Sequence, residues 1–139
     1  MKVAISSSGQ DLNSTVDFRF GRCVYFIIAD SETEEFKAIT NSNVSASSGA
    51  GIQSAQTVIN EGVGAVITGQ IGPNAHKVFA VANIPIYSTS GGTISENLDK
   101  LKKGELTELT QPSVAANFGM GKGMGAGQGR GGKGRWWQQ

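Results

Sequence analysis

Two guanidinium groups, a glycine and the chain's only cysteine fall within seven residues, Asp17-Phe18-Arg19-Phe20-Gly21-Arg22-Cys23. Arginine presents planar, permanently charged donor forks that suit anions. A cysteine beside such cations holds a stabilised thiolate, the form that binds soft metals. The string therefore predicts a place for an anionic, metal-bearing ligand. A plainer reading of the same residues is a loop with two solvated arginines and a buried thiol, because free cysteine is commonly a small buried hydrophobe.

The elements that must position these residues follow from hydrophobic pattern. Val3-Ala4-Ile5, stopped by Ser and Gly, predicts a buried first strand. Residues 8–22 form a long polar loop, the kind that carries function. Cys23 to Asp30 predicts a second strand, and Glu35 to Thr40 a third, paired to the second as a hairpin. From there the period changes. Ile52, Ala55, Val58 and Ile59 recur at helical spacing, with Gly62 as the stop. Ala65 to Gly69 is a strand, and Pro73 opens a helix carrying Ala75, Val78, Phe79 and Ala82. Ile84 to Tyr87 is a strand; Ile94, Leu98 and Leu101 mark a third helix, and Leu106 and Leu109 a short last segment. An antiparallel first part followed by β-α-β-α predicts a three-layer α/β domain over residues 1–110. Its sheet is expected to be mixed and five-stranded, of the ribonuclease-H-like type.

Charge divides the chain in two. Residues 1–110 carry eight Lys/Arg against eleven Asp/Glu, a net −3, whereas residues 111–139 carry Lys122, Arg130, Lys133 and Arg135 with no acid. The second stretch holds nine glycines between 119 and 135 and ends in Trp136-Trp137. Its composition predicts a flexible basic tail, since it cannot bury enough apolar surface to offset its ordering entropy. A single cysteine makes no internal disulfide, and no apolar run reaches the length of a signal peptide or membrane span. The expected location is the cytoplasm, with no membrane partner.

Ligands of α/β sheets gather at the carboxyl ends of parallel strands. Three glycine-containing turns lead into predicted helices there: Gly49-Ala50-Gly51, Gly69-Gln70-Ile71-Gly72-Pro73-Asn74 and Ser90-Gly91-Gly92-Thr93. Helix N-termini favour anions. If all three open on one edge, backbone N–H groups near Gly49, Gly51, Ile52, Gly72, Asn74, Gly91, Gly92 and Thr93 line an electropositive rim beside Arg19 and Arg22. Each glycine alone would also be explained by a tight turn. Other chemistries find little support. No dinucleotide or phosphate-loop fingerprint is present. The first strand lacks the carboxylates that two-metal nucleases need, and the lone His76 has no evident Ser/Asp partner. His76 reads as an exposed helix residue. Met120 and Met124 could offer thioethers to a soft metal, but lie in the glycine tail.

Three motifs in order now carry a resemblance: Asp17 to Phe26, Gly49-Ala50-Gly51-Ile52-Gln53-Ser54-Ala55, and Gly69 to Ala75. Over roughly residues 1–110 the chain resembles the dinitrogenase iron–molybdenum cofactor biosynthesis family. The resemblance implies a ribonuclease-H-like fold and a non-catalytic role, the binding or carriage of an anionic metal–sulfur cluster containing iron or molybdenum. A cofactor-assembly or acceptor protein is the implied partner. Many members read His-Phe-Gly where this chain reads Arg19-Phe20-Gly21. Guanidinium stays protonated and cannot ligate a metal, so Cys23 becomes the candidate metal ligand, with Arg19, Phe20, Gly21 and Arg22 around the cofactor. The alternative is a cofactor-free interaction module whose basic tail binds an acidic protein or RNA; RNA is disfavoured because no aromatic residue lies among the glycines.

Overall fold

Strand β1 (Lys2–Ser7) alternates its side chains between two cores, and the rest of the domain is arranged around that alternation. The computed structural model describes residues 1–41 and 50–112. After β1 come β2 (Tyr25–Asp30) and β3 (Phe36–Thr40), then α1 (Ala50–Ile59), β4 (Ala65–Thr68), α2 (Pro73–Val81), β5 (Ile86–Ser88), α3 (Ile94–Lys102) and β6 (Thr107–Glu108). The sheet order is β3-β2-β1-β4-β5-β6. β1 pairs antiparallel with β2 and parallel with β4, β4 pairs parallel with β5, and β6 returns antiparallel.

Val3 and Ile5 point to one face with Ile27, Ala65 and Ile67, where Ile94 and Leu98 of α3 cover them. Ala4 points to the other with Phe26, Ile28, Val66 and Ile86, beneath Ala55 and Val58 of α1 and Ala75 and Phe79 of α2. The period-2 alternation of the central strands thus meets a helical layer on each side. The five-stranded expectation is corrected to six among the described residues. The added strand is the two-residue β6, where Ser88 pairs with Thr107 and Tyr87 with Glu108. Gly49 and the 111–139 tail expectation lie outside the described residues, Gln111 and Pro112 excepted.

Helix α3 begins with a reciprocal cap. Thr93 Oγ1 accepts from the Glu96 N–H at 3.1 Å, and Glu96 Oε1 accepts from the Thr93 N–H at 2.8 Å. Behind the cap, fully buried Asn97 donates through Nδ2 to the carbonyls of Gly91 (3.0 Å) and Thr93 (2.8 Å) and accepts from the Thr89 hydroxyl. This side chain fixes the β5–α3 turn. Asn97→Leu removes the partner of two carbonyls and a hydroxyl in a closed space, so it should cost about 2–4 kcal/mol. Urea unfolding is expected to show the midpoint falling at constant m-value.

Candidate anion-binding edge

Strands β1, β3, β4 and β5 all run toward one edge of the sheet, ending at Ser7, Thr40, Thr68 and Ser88. The loop after β1 follows that edge as a strap. The Asp17 N–H donates to Ser6 O (2.9 Å) and the Val16 N–H to Gly92 O (3.0 Å). The Gln70 N–H then donates to Phe18 O, and the Phe20 N–H to Gln70 O at 3.1 Å. Ser6 Oγ, 2.6 Å from Asp17 O and 2.9 Å from Thr68 Oγ1, fastens the strap from below. A short 3-10 turn, Phe20–Arg22, ends it. Phe20 drops from this turn into the core, with its ring centre 5.1 Å from that of Phe26 and 5.4 Å, edge-on, from that of Phe79. Phe20 is therefore an anchor for the turn, and corrects the expectation that it contacts a ligand.

The helix starts on this edge divide into open and closed. The first turns of α1 and α2 adjoin: a Cβ on Gly51 would lie 3.4 Å from Ala75 Cβ. Gly72 caps α2 without a side chain, Pro73 has no N–H, and the first intrahelical bond is His76 N–H to Gly72 O at 3.1 Å. The N–H groups of Asn74 and Ala75 therefore have no acceptor among the described residues, and those of Gly51 and Ile52 have none either. At α3 the situation is reversed. The Ile94 and Ser95 N–H groups donate to Ser14 O and Leu12 O of the strap, both at 2.9 Å, and the Gly91 N–H donates to Thr89 Oγ1 at 3.1 Å. The Glu96 carboxylate occupies the cap itself. The N–H groups of Gly91 and Thr93, expected to face an anion, are instead taken by Thr89 and Glu96, and the turn carries the Glu96 carboxylate.

Arg19 projects from the strap with its side chain 63% exposed, its Nε 3.5 Å from Asp17 Oδ1. The same oxygen accepts from the Arg19 N–H at 2.9 Å, so Asp17 fixes where the guanidinium starts. Arg22 is exposed at the end of the 3-10 turn. Gly21 is half-buried, and its carbonyl accepts from Asn41 Nδ2 at 3.3 Å.

Cys23 is fully buried, and its thiol donates to Phe20 O at 3.1 Å. Burial above all, and then the Asp17 carboxylate, push its pKa from an ordinary 9.0 up to about 12. This corrects the expectation of a cation-stabilised thiolate: the charge that reaches the sulfur is a carboxylate. Among the described residues no three of His, Cys, Asp and Glu are grouped so as to hold a metal ion. His76 corrects the exposed reading; it is half-buried, with Nε2 3.2 Å from Leu109 O. Sequence reasoning missed Asn41. Its buried amide donates to Cys23 O at 2.9 Å and accepts from Ser54 Oγ at 3.1 Å, which ties the 3-10 turn to α1. Its one local signal is an Asn directly after a strand.

The comparisons with known proteins agree with this architecture. Residues 1–104 match the family described as Dinitrogenase iron-molybdenum cofactor. The chain belongs to that family. It is 33% identical over 109 residues to an uncharacterized protein of Methanocaldococcus jannaschii, covering 76% of this chain and 89% of the relative. The apo form of the orange protein from Desulfovibrio gigas superposes with a TM-score of 0.78 at 28% identity, over 81% of this chain and 96% of that one. A Thermotoga protein proposed to be a NifB protein gives 0.72 at 35% identity, over 81% and 97%. The family resemblance seen in the three motifs is thereby shown. No helix among the described residues is long and apolar enough to cross a membrane.

The buried thiol makes two measurable statements. Alkylation of Cys23 by iodoacetamide at pH 8 should be at least roughly 100-fold slower in the folded protein than in urea. A thiol pKa raised on folding contributes stability below pH 9 that is lost as pH rises toward 12. Chemical denaturation between pH 8 and 11 should therefore show falling stability in the wild type and a flatter profile in Cys23→Ala.

Proposed function

We propose that this member of the family binds and carries a preformed anionic metal–sulfur cluster, containing iron or molybdenum, during cofactor assembly, without catalysing a reaction. The observation that carries the reading is the pair of adjoining helix starts whose N–H groups at Gly51, Ile52, Asn74 and Ala75 have no acceptor among the described residues, on the edge that also bears Arg19 and Arg22. Helix N-termini and guanidinium groups both favour negative charge. Gly51 and Gly72 themselves bring no side chain to those helix starts.

The donor set suits an intact cluster and not a bare ion. A bare metal ion needs lone pairs, and the edge offers N–H donors and cations instead. A cluster that brings its own sulfide or oxygen atoms presents acceptors to those donors. In this reading Arg19 and Arg22 neutralise the cluster, Gly21 and Phe20 shape the turn that presents them, and Cys23 packs the turn without forming a metal–sulfur bond. The acceptor is a cofactor-assembly protein, and the cytoplasm is the compartment.

Anaerobic titration of the full chain with tetrathiomolybdate tests this. Saturable binding is expected, with Arg19→Ala/Arg22→Ala weakening it roughly tenfold or more at low salt and Cys23→Ala leaving it unchanged. Removing residues 111–139 should leave it intact. Stoichiometric uptake of ferrous or cuprous ion alone, or loss of thiomolybdate binding in Cys23→Ala, overturns the reading. Binding that disappears with the tail supports the interaction-module alternative.

A further inference from the structure

Phe18 is an exposed aromatic residue whose position burial does not explain. Its side of the strap leaves it 44% exposed, yet its place is closely determined. A Cβ on Gly69 would sit 2.1 Å from Phe18 Cδ1, and one on Gly91 would sit 3.6 Å from Phe18 Cζ. The ring thus lies on two glycines, one just after β4 and the other in the turn after β5. From there the chain leaves to opposite faces of the sheet, α2 toward one core and α3 toward the other. That divergence is the crevice where ligands of open α/β sheets bind. The backbone is clamped as well: Phe18 O accepts from the Gln70 N–H, the next N–H but one donates back to Gln70 O, and the Asp17 N–H is held by Ser6 O. The ring is fixed before any ligand arrives, so little ordering cost remains for a contact made by it.

Arg19 is its sequence neighbour, and the Gly69–Gly72 turn on which it rests leads straight into the open start of α2. Cations and N–H groups attract any anion of the right charge. They do not distinguish a sulfur-rich anion from an oxyanion. An apolar ring does. Strongly hydrated oxygen atoms lose water without compensation against it. Polarizable sulfur makes favourable contacts at an aromatic edge, and guanidinium is itself weakly hydrated. We infer that Phe18 sets the selectivity of this edge, favouring soft, sulfur-rich anions over hydrated oxyanions of the same charge, while Arg19, Arg22 and the helix starts supply the affinity common to both. This rests on the cluster-carriage reading.

The test compares tetrathiomolybdate with molybdate on the full chain under anaerobic conditions, in wild type, Phe18→Leu and Phe18→Ser. Wild type should prefer the thioanion. Phe18→Ser should cut that preference roughly tenfold with molybdate affinity and thermal unfolding little changed, and Phe18→Leu, which keeps apolar bulk, should retain most of it. A ratio that ignores Phe18, or equal weakening of both anions in Phe18→Ser, overturns the inference and leaves carriage standing. Wild-type protein that binds neither anion removes the carriage reading and this inference with it.

Discussion

Where the loop after β1 places its carbonyl groups decides what this edge of the sheet can do. Three helices begin on or near that edge, and each brings N–H donors that no intrahelical acceptor can reach. The strap supplies acceptors to α3 through Leu12 and Ser14, and Thr93 and Glu96 complete the closure. It supplies none to α1 and α2. One loop therefore converts an edge with similar helix starts into an edge with two roles. The α3 side is a clasp that holds the strap, and on the α1/α2 side no acceptor among the described residues meets the first N–H groups. The strap is long because it must span from one side to the other, from the Leu12–Ser95 bond to the Phe20–Gln70 bond.

Asp17 links the electrostatics of Arg19 and the thiol. Its carboxylate fixes the base of Arg19 and lies beside the guanidinium's Nε as a local counter-charge. The same carboxylate opposes ionisation of Cys23, adding to burial. A negative charge that approached Cys23 would meet a protonated, desolvated thiol committed to Phe20 O. One that approached Arg19 would meet a cation whose partner is weak and partly solvated, an exchange of low cost. The charge arrangement directs an anion outward to the arginines and away from the sulfur.

Much of the fold was legible because its signals are local. Val3-Ala4-Ile5 and Ala65 to Gly69 read as buried strands, and Pro73 marks the start of α2 itself while Gly62 falls three residues past the end of α1. The two-residue β6 carries no period to detect, since its pairing is decided by the partner strand. The site was legible as a set of residue types and only partly as an arrangement. Arg19, Arg22 and the Gly69 turn do share one edge. The closure of α3 depends on bonds between residues 12–14 and 94–95, about eighty positions apart, and no spacing rule announces them. Cys23 was misjudged for the same reason. Its sequence neighbours are arginines, but a side chain's dielectric is set by the core it enters, here beside Phe20, Phe26 and Ala55.

Arg19-Phe20-Gly21, where the family resemblance leads one to expect a histidine form, then has a consistent physical meaning. A histidine at this position can share a lone pair with a metal and make a bond that must break for release. A guanidinium has none to share, and its hold on an anion is electrostatic, geometrically forgiving and weakened by salt. The N–H groups at the starts of α1 and α2 hold in the same way, through partial charges on a fixed backbone. An edge built from such contacts accumulates affinity from several modest terms, none of which requires an activated step to undo. Under the proposed carriage this is the more suitable construction: an acceptor would need only to offer the cluster stronger ligands than N–H donors and arginines, and the chain would return to its starting state unchanged.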